Sequence, residues 1–557
     1  MNNKFTQILF SILLVILIAT PILIISPKWL VDDAYIIFRY AENLTEHGQL
    51  TFNVGEDPVE GYTGILMTLI MSLFSVMSIQ LEQAAHLTGA IAFIFMLFFF
   101  YKLVEKLSDL IFVRLISLFL FSTASFLYLH IYSGLETMLF TALLLGAALL
   151  VYDLLDEKDS ISLKRYVGMA FLLLILSLCR PEGALYALIV IILFAVNSIL
   201  NVKSLRPLFA IIVLFVLPGI IYFIWRWNYY GHFLPNTFYV KLSGSVSKNT
   251  IESLMIFTRQ YVLIPFACVI VGYISSLDET ADLIRIKRTN YASPSKLIIL
   301  SSLIVWAVIV ALHYRNSFLM MNYSYRFYVP FYPIVILIFA TFLTPVIKVI
   351  MLKKNQRKLT YYFLISWIFL LLLIQTFLSI RRFVFIHIPF AVTYRELLDK
   401  THRPAGNYLR ERVPINEWLV VHIDAGMIPY YSDLKTIDFG GLNDEYLAQH
   451  NDQSFLADRI NYFFKRSPGA CVFTSYKWGH VYHNDQATAI ISDQRFGNYA
   501  LVKKFGDKSI NVKNILKSRY YNNMNIEGYF QFIFLRKDLL RENEEIEYRR
   551  NFGNEYN

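Results

Sequence analysis

Cysteine is scarce in this 557-residue chain: there are three, Cys179, Cys268 and Cys471, far apart and the first two inside apolar runs. That spacing supports neither a disulfide framework nor a CxxC metal pattern. Charge is scarce too, at 17% of residues against 56% hydrophobic and 16% aromatic. A mean hydropathy of +0.48 is too high for a soluble globular chain. The net charge of +10 falls in short loops between apolar runs, where it orients helices. No basic and aromatic module of the nucleic-acid-binding kinds accompanies it, so nucleic acid is not an expected partner. HExxH, GxSxG, Walker A and GxGxxG do not occur in a suitable context, which argues against cytoplasmic phosphate donors such as ATP or nucleotide sugars. No internal repeat is visible.

What the chain has in abundance is bilayer-length apolar sequence. Runs of about 17 to 25 residues lie near 6–27, 84–103, 109–131, 137–154, 166–179, 183–200, 206–225, 252–276, 296–313, 328–349 and 360–380. These predict a polytopic α-helical membrane protein with about eleven crossings. The first follows Lys4 and has no clear small-x-small cleavage site, so it reads as a retained span with a cytoplasmic N-terminus. Lys102, Lys106 and Arg114, then Lys158, Lys164 and Arg165, then Lys203 and Arg206, then Arg285, Lys287 and Arg288, then Lys353, Lys354, Arg357 and Lys358 alternate as cytoplasmic loops. Residues 63–80 are apolar enough to span, but a crossing there would invert every later loop. They are expected to lie in the interface or to re-enter.

From about Arg381 the composition changes. Short β-rich runs at 417–423, 435–439, 470–476 and 529–535 alternate with polar, helix-compatible stretches, predicting a soluble α/β domain outside the membrane. The expected division is therefore 1–382, a membrane region with an acidic outer loop at 28–62, and 383–557, a periplasmic domain. Within the latter, 417–439 reads as strand, Gly turn, short helix, strand. Asp424 and Asp438 lie near strand ends, lining a cleft or capping turns.

The polar clusters gather on the outer side, where they are costly near lipid unless they face water or pair. Asp32 and Asp33 follow the first span. Two adjacent carboxylates do not ionise together cheaply, so one can be poised as a base; capping of the following helix is the alternative, and one acid can cap while the other faces the cavity. Arg39 falls near the same helix face, able to pair with the acids or with a phosphate. "NVGEDPVEGYTG" (53–64) turns Glu56, Asp57 and Glu60 back toward the surface, with Glu60, next to Tyr62, the one expected to point inward. "SGLET" (133–137) puts Glu136 at a helix start, and "RPEG" (180–183) puts Arg180 and Glu182 in a short turn, where they can pair with each other. "RWNYYGHFLPNTFYVK" (226–241) interleaves aromatics with Arg226, His232, Asn236 and Lys241, suiting sugars, headgroups or phosphate. Arg326 in "NYSYRF" (322–327) either snorkels to headgroups or clamps a lipid phosphate. "HVYHND" (480–485) carries His480, His483 and Asp485 without a spacing that fixes a metal geometry.

Taken in order, "DDAYIIFRYAENL", "FNVGEDPVEGYTG", "SGLET", "RPEG", "YGHFLPNTFYVK" and "DAGMIPYYSDLKTIDFGGLND" (424–444) resemble the bacterial GT-C membrane glycosyltransferases, in particular the branch of the mycobacterial terminal arabinofuranosyltransferase. The resemblance runs across about three-quarters of the chain. It implies an acidic first outer loop, amphipathic helices after it, and a cavity open to periplasm and lipid. It also implies transfer of a sugar from a polyprenyl-phosphate carrier to a hydroxyl of a glycan, glycolipid or protein acceptor, in a bacterial inner membrane. On that likeness Asp32 and Asp33 match the catalytic acids. We assign Arg39, Lys241 and Arg326 to the donor phosphate, and Glu60, Tyr62, Glu136, Arg180, Glu182, His232 and Asn236 to sugar or acceptor. Mg or Mn at Asp32 or Asp33 is compatible with oxygen ligands, although no ligand set is evident. Nothing in the residues fixes the sugar. The competing readings are a lipid-linked glycan transporter or flippase, which would call for mid-membrane polar residues and internal symmetry, and a non-catalytic envelope scaffold.

Overall fold

The computed structural model describes residues 24, 26–156, 163–200, 206–241, 247–274, 294–317, 319, 321–352, 358–450, 453–515 and 526–541. Among these, eight helices are long and apolar enough to cross a bilayer: Leu81–Leu107, Thr137–Asp156, Pro181–Ile199, Leu208–Tyr230, Lys248–Val271, Pro294–Arg315, Phe331–Val349 and Ile365–Arg412. A bent pair, Ile111–Ser122 and Ser125–Ile131 at 58°, is apolar enough to form a ninth span or a re-entrant loop. The bend is stabilised from outside: Ser379 Oγ donates to the Thr123 carbonyl and accepts from the Ser125 amide at 3.1 Å, supplying partners where the helix ladder breaks. Leu163–Cys179, at 17 residues, corresponds to the expected run 166–179. The expected first span, 6–27, lies outside the described residues.

The expected basic loops meet at one end of the bundle. Lys106 pairs with Asp153 at 2.6 Å and Lys348 with Asp109, while Lys296 Nζ donates to the Leu107 carbonyl. Lys158, Lys203, Arg285, Lys287, Arg288, Lys353, Lys354 and Arg357, and the side chains of Arg206 and Lys358, lie outside the described residues. The acidic and aromatic motifs gather at the opposite end. There helix α1 (Asp32–His47) is followed by helix α2 (Ile65–Val76). α2 has 12 residues, about 18 Å of rise against a hydrocarbon core of about 30 Å. It buries Met67, Thr68, Met71 and Ser72 and exposes Leu69, Leu73 and Val76, so the run 63–80 folds as a short helix with an outward apolar face.

The last span does not stop at the membrane. Helix α3 (Ile365–Arg412) is 48 residues long, about 70 Å, with π-type turns at Phe383–His387 and Leu398–His402. The composition change near Arg381 and the expected boundary at 382/383 thus both fall inside this helix.

Beyond α3 a five-stranded sheet is ordered β2-β1-β3-β5-β4, with β1 (Trp418–Val421), β2 (Lys435–Asp438), β3 (Ala470–Ser475), β4 (Tyr499–Gly506) and β5 (Phe530–Arg536). β1 runs parallel to β2 and β3, and β5 antiparallel to β3 and β4. Four strands coincide with the runs read from the sequence. Helix α4 (Met427–Ser432) between β1 and β2 completes the strand, turn, helix, strand reading. β4 was not anticipated: its pattern is interrupted by Lys503 and Lys504 at an irregularity in the register, as suits an edge strand guarded by lysine.

Candidate active site

The C-terminal domain docks through residues 424–444 on the end of the bundle opposite the Lys106–Asp153 pair, and α1 lies beneath that segment. Arg39 is buried and fully engaged: its guanidinium donates to the carbonyls of Phe52 (2.7 Å), Pro429 (2.5 Å) and Leu434 (2.7 Å) and lies over the Phe52 ring. Tyr430 donates to Glu42 at 2.6 Å. Glu82 Oε1 accepts from Tyr35 (2.6 Å), Tyr431 (2.9 Å) and Arg403 (3.0 Å). Farther along, Asn236 Nδ2 donates to the carbonyls of Gly441, Leu442 and Asp444, and His232 meets Glu445 at 2.7 Å. Glu60 pairs with Arg226 at 2.6 Å, and the Tyr62 and Tyr230 hydroxyls bond at 2.9 Å. Arg39, Glu60, Tyr62, His232 and Asn236 are therefore brought together along one seam, each with protein partners. The Lys241 side chain lies outside the described residues.

The acid pair sits where α1 meets this seam. Asp32 is buried, and its Oδ2 and Oδ1 accept from the backbone amides of Gly426 (2.9 Å) and Met427 (2.8 Å). The N-cap of α1 itself is Val31, so Asp32 satisfies a turn in the other domain. Behind it, Asp424 accepts from Thr474 (2.6 Å), Tyr529 (2.9 Å) and Gln531 (2.6 Å) and faces His402 Nε2 at 3.4 Å. Burial pushes the Asp32 carboxyl up to about 7, with His402 pulling down and Asp424 pushing up. Burial would raise Asp424 as well, but His402 and its hydroxyl and amide donors hold it below the usual carboxylate range. Asp33 is half-buried.

The second charged group lies on the loop before Phe331. Glu136 Oε1 contacts both Arg180 Nη1 and Arg326 Nη2 at 3.3 Å. Arg180 Nη2 pairs with Glu182 at 2.8 Å, and Tyr314 donates to the same Glu182 oxygen at 2.6 Å. Two cations thus share one oxygen through long contacts. The Arg326 loop is strained, with Met321 (φ 61°), Ser324 (φ 46°) and Tyr325 (φ 62°) all left-handed, a conformation that costs energy at non-glycine residues and clusters at functional sites. It is fastened by His130 and His387, which bond the carbonyl and hydroxyl of Ser324 at 3.0 Å each.

Tyr323 joins the two groups. Its hydroxyl is within electrostatic reach of Asp33 and Arg326, and its ring packs with Trp29, Phe390 and Tyr394. Sequence reasoning passed over Tyr323, Tyr394 and His402, because their partners lie on other elements: Trp29 for Tyr323, the Asp32 amide for Tyr394, and Asp424 beyond β1 for His402. A cleft of about 230 Å³ opens beside Tyr314, lined mainly by the apolar side chains of Ile251, Leu254, Val308, Ala311 and Leu312, with Thr250, Tyr314, Arg315 and Tyr328 at its polar edge. Among the described residues no three His, Cys, Asp or Glu side chains form a metal-ligand group.

Against solved structures, the chain is similar to ArnT from Cupriavidus metallidurans bound to undecaprenyl phosphate, with a TM-score of 0.53, 10% identity, and coverage of 95% of this chain and 98% of that one. This protein has a GT-C-type fold. The apo form of the same ArnT covers 96% of this chain at 10% identity with a TM-score of 0.47. A family model described as a domain of unknown function, DUF8728, matches residues 392–525, from the emergent part of α3 through most of the sheet. No curated protein matches. The GT-C-type bundle and its strand-containing C-terminal domain belong to a multi-pass membrane protein.

Proposed function

We propose that this protein is a membrane glycosyltransferase that moves a sugar from a polyprenyl-phosphate carrier to an acceptor hydroxyl on the periplasmic face. The observation that carries the reading is Tyr323, three residues before Arg326, whose ring packs on Trp29 and Tyr394 beside the acid pair, in a fold similar to that of an undecaprenyl-phosphate-bound protein. A lipid phosphate is already a leaving group. The protein therefore has to supply a base for the acceptor hydroxyl and cations for the departing phosphate. Asp33 and Asp32 are the candidate acids. Arg326, with long contacts to Glu136 and Thr137, is the cation placed to turn toward phosphate, with Arg180 beside it. The apolar cleft ending at Tyr314 suits the isoprenoid chain, since Tyr314 also touches Glu182 and Arg180. Of the packed rings Trp29, Tyr323, Phe390 and Tyr394, only Tyr323 keeps part of its surface and offers a ring to a sugar.

In this reading Arg39, His232 and Asn236 serve the site by fastening the C-terminal domain over it, Glu60 and Tyr62 brace their loop on Arg226 and Tyr230, and Glu136 and Glu182 orient the two arginines. A divalent ion at Asp33 would draw its remaining ligands from the donor phosphate and water; EDTA that abolishes transfer, with Mg or Mn restoring it, would establish that role. The sugar is left open: the resemblance to the arabinofuranosyltransferase branch does not carry arabinose over to this chain.

The test is mass spectrometry of envelope glycans and polyprenyl-phosphate sugars in a deletion strain. The expected result is loss of one sugar unit and accumulation of its lipid-linked donor, both reversed by the wild-type chain. Reversal by the Asp32→Asn/Asp33→Asn double variant would sink the catalytic reading and favour transport or scaffolding.

A further inference from the structure

Asp32 and Asp33 are adjacent in sequence and opposite in surroundings. Asp32 is 4% exposed, and each of its oxygens already accepts an amide from the C-terminal domain. An acceptor hydroxyl would have to displace one of those amides to reach it. Asp33 keeps part of its surface, and the ring of Tyr323, three residues before Arg326, packs on Trp29 and Tyr394 at the start of α1. The amide clamp has no slack. A Cβ on Gly426 would overlap the Asp32 carbonyl oxygen and stand 2.7 Å from its Oδ2. Behind the clamp, Thr474, Tyr529, Gln531 and His402 all hold Asp424, and Tyr394 accepts from the Asp32 amide at 3.3 Å.

We propose that the C-terminal domain is a working part of the catalytic site: its Gly426–Met427 amides, backed by His402 and Asp424, fix Asp32 as an anchor and so present Asp33 as the base that takes the acceptor's proton. This rests on the glycosyltransferase reading above. In the step, the acceptor oxygen bonds to the anomeric carbon as its proton passes to the Asp33 carboxylate. The bond from that carbon to the phosphate oxygen breaks, and its electron pair leaves on the polyprenyl phosphate. His402 and Asp424 are positioning residues: they touch Asp32's surroundings, not the sugar.

The experiment uses the full chain in membrane vesicles, given the polyprenyl-phosphate-sugar fraction extracted from the deletion strain, alongside hydrogen exchange of residues 427–434. Asp33→Asn is expected to keep wild-type protection of that segment and to lower transfer by about 100-fold or more, with Asp33→Glu recovering part of it. Gly426→Ala leaves both acids in place. It is expected to speed exchange at 427–434 and to lower transfer by about tenfold or more, since misplacement by about 1 Å is costly to a reacting geometry. Arg39→Lys, which loosens the same segment from its far end, serves if Gly426→Ala does not accumulate, and should lower transfer too. His402→Gln should move the pH profile of transfer, which a purely structural role would leave in place. Faster exchange with wild-type transfer in Gly426→Ala or Arg39→Lys would overturn the proposal, as would full activity of Asp33→Asn. If wild-type vesicles transfer nothing, the glycosyltransferase reading itself falls, an outcome separable from these by the wild-type control.

Discussion

Two stretches of the outer face use the same residue types to different ends. Along the seam from Arg39 to Glu445, charged and polar side chains close short bonds to backbone carbonyls and to single opposite charges: Arg39 to three carbonyls, Asn236 to three more, Glu60 to Arg226 at 2.6 Å. At the opening beside Tyr314 and Tyr328, Arg180 and Arg326 share one Glu136 oxygen at 3.3 Å, and the backbone of the Arg326 loop is held in left-handed conformations. A group that spends its hydrogen bonds on the fold is fixed; a group held by long, shared contacts can exchange a partner for substrate. The difference teaches that charge at a membrane rim does not by itself identify a site, whereas unspent bonding capacity beside strained backbone does.

Removing one charge from each stretch would break that comparison most sharply. Asp33→Asn should lower transfer by about two to four orders of magnitude, the usual contribution of a general base, with no change in thermal stability. Glu60→Gln should act the other way. It leaves Arg226 buried against a neutral partner, so stability should fall by about 3 kcal/mol or more, while transfer per folded molecule stays near wild type. Turnover measured against the folded fraction separates the two. Equal losses of turnover in both variants would erase the distinction between seam and opening.

The sequence made the spans, the strands β1, β2, β3 and β5 and the outer motifs legible, because hydropathy and alternation are local. It made the partners of those motifs illegible. Arg39 was readable as lying on the Asp32 side of its helix, yet its bonds go to Pro429 and Leu434, about 390 positions on. Asp32 was readable as a cap, but the amides it satisfies belong to Gly426 and Met427 and not to its own helix. Arg180 and Glu182 do pair as their spacing suggests; Arg326 joining them through Glu136 could not be read from any local pattern. The same holds for α3, whose apolar period ends near Arg381 while its backbone continues as helix for another eight turns or so.

A finer test falls on Arg326, where the comparison concerns donor binding and not the proton. Arg326→Gln removes one charge-assisted bond to a phosphate, worth about 1.5 kcal/mol, so KM for the lipid-linked donor should rise about tenfold. The Tm should fall little, because Glu136 retains Arg180. Arg180→Gln should cost more stability, since it strands Glu182 as well. If Arg326→Gln leaves donor KM unchanged, the guanidinium is a headgroup anchor and the opening loses its phosphate side.

The smallest effect is the pH dependence of docking, and its sign follows from Asp32. Burial raises its carboxyl to about 7 from 3.8, with His402 opposing and Asp424 and Asp33 adding to the rise. A carboxyl raised on folding binds its proton more tightly in the docked state. Its contribution is therefore largest at low pH and is lost as pH rises from about 4 through about 7. His402, raised by Asp424 against its own burial, loses its contribution in the same direction. Asp424, depressed, weakens docking only as pH falls below its unfolded value near 3.8. Between pH 5 and 8 the wild-type Tm should thus drift down by a few degrees and level off above 7, with Tyr394, which lies against Asp32, remaining neutral throughout. Asp32→Asn should flatten that drift while lowering the Tm overall, because an amide cannot accept from both Gly426 and Met427. A Tm that instead climbs from pH 5 to 8 in the wild type would mean that Asp32 is ionised in the clamp, and that His402 outweighs burial at this position.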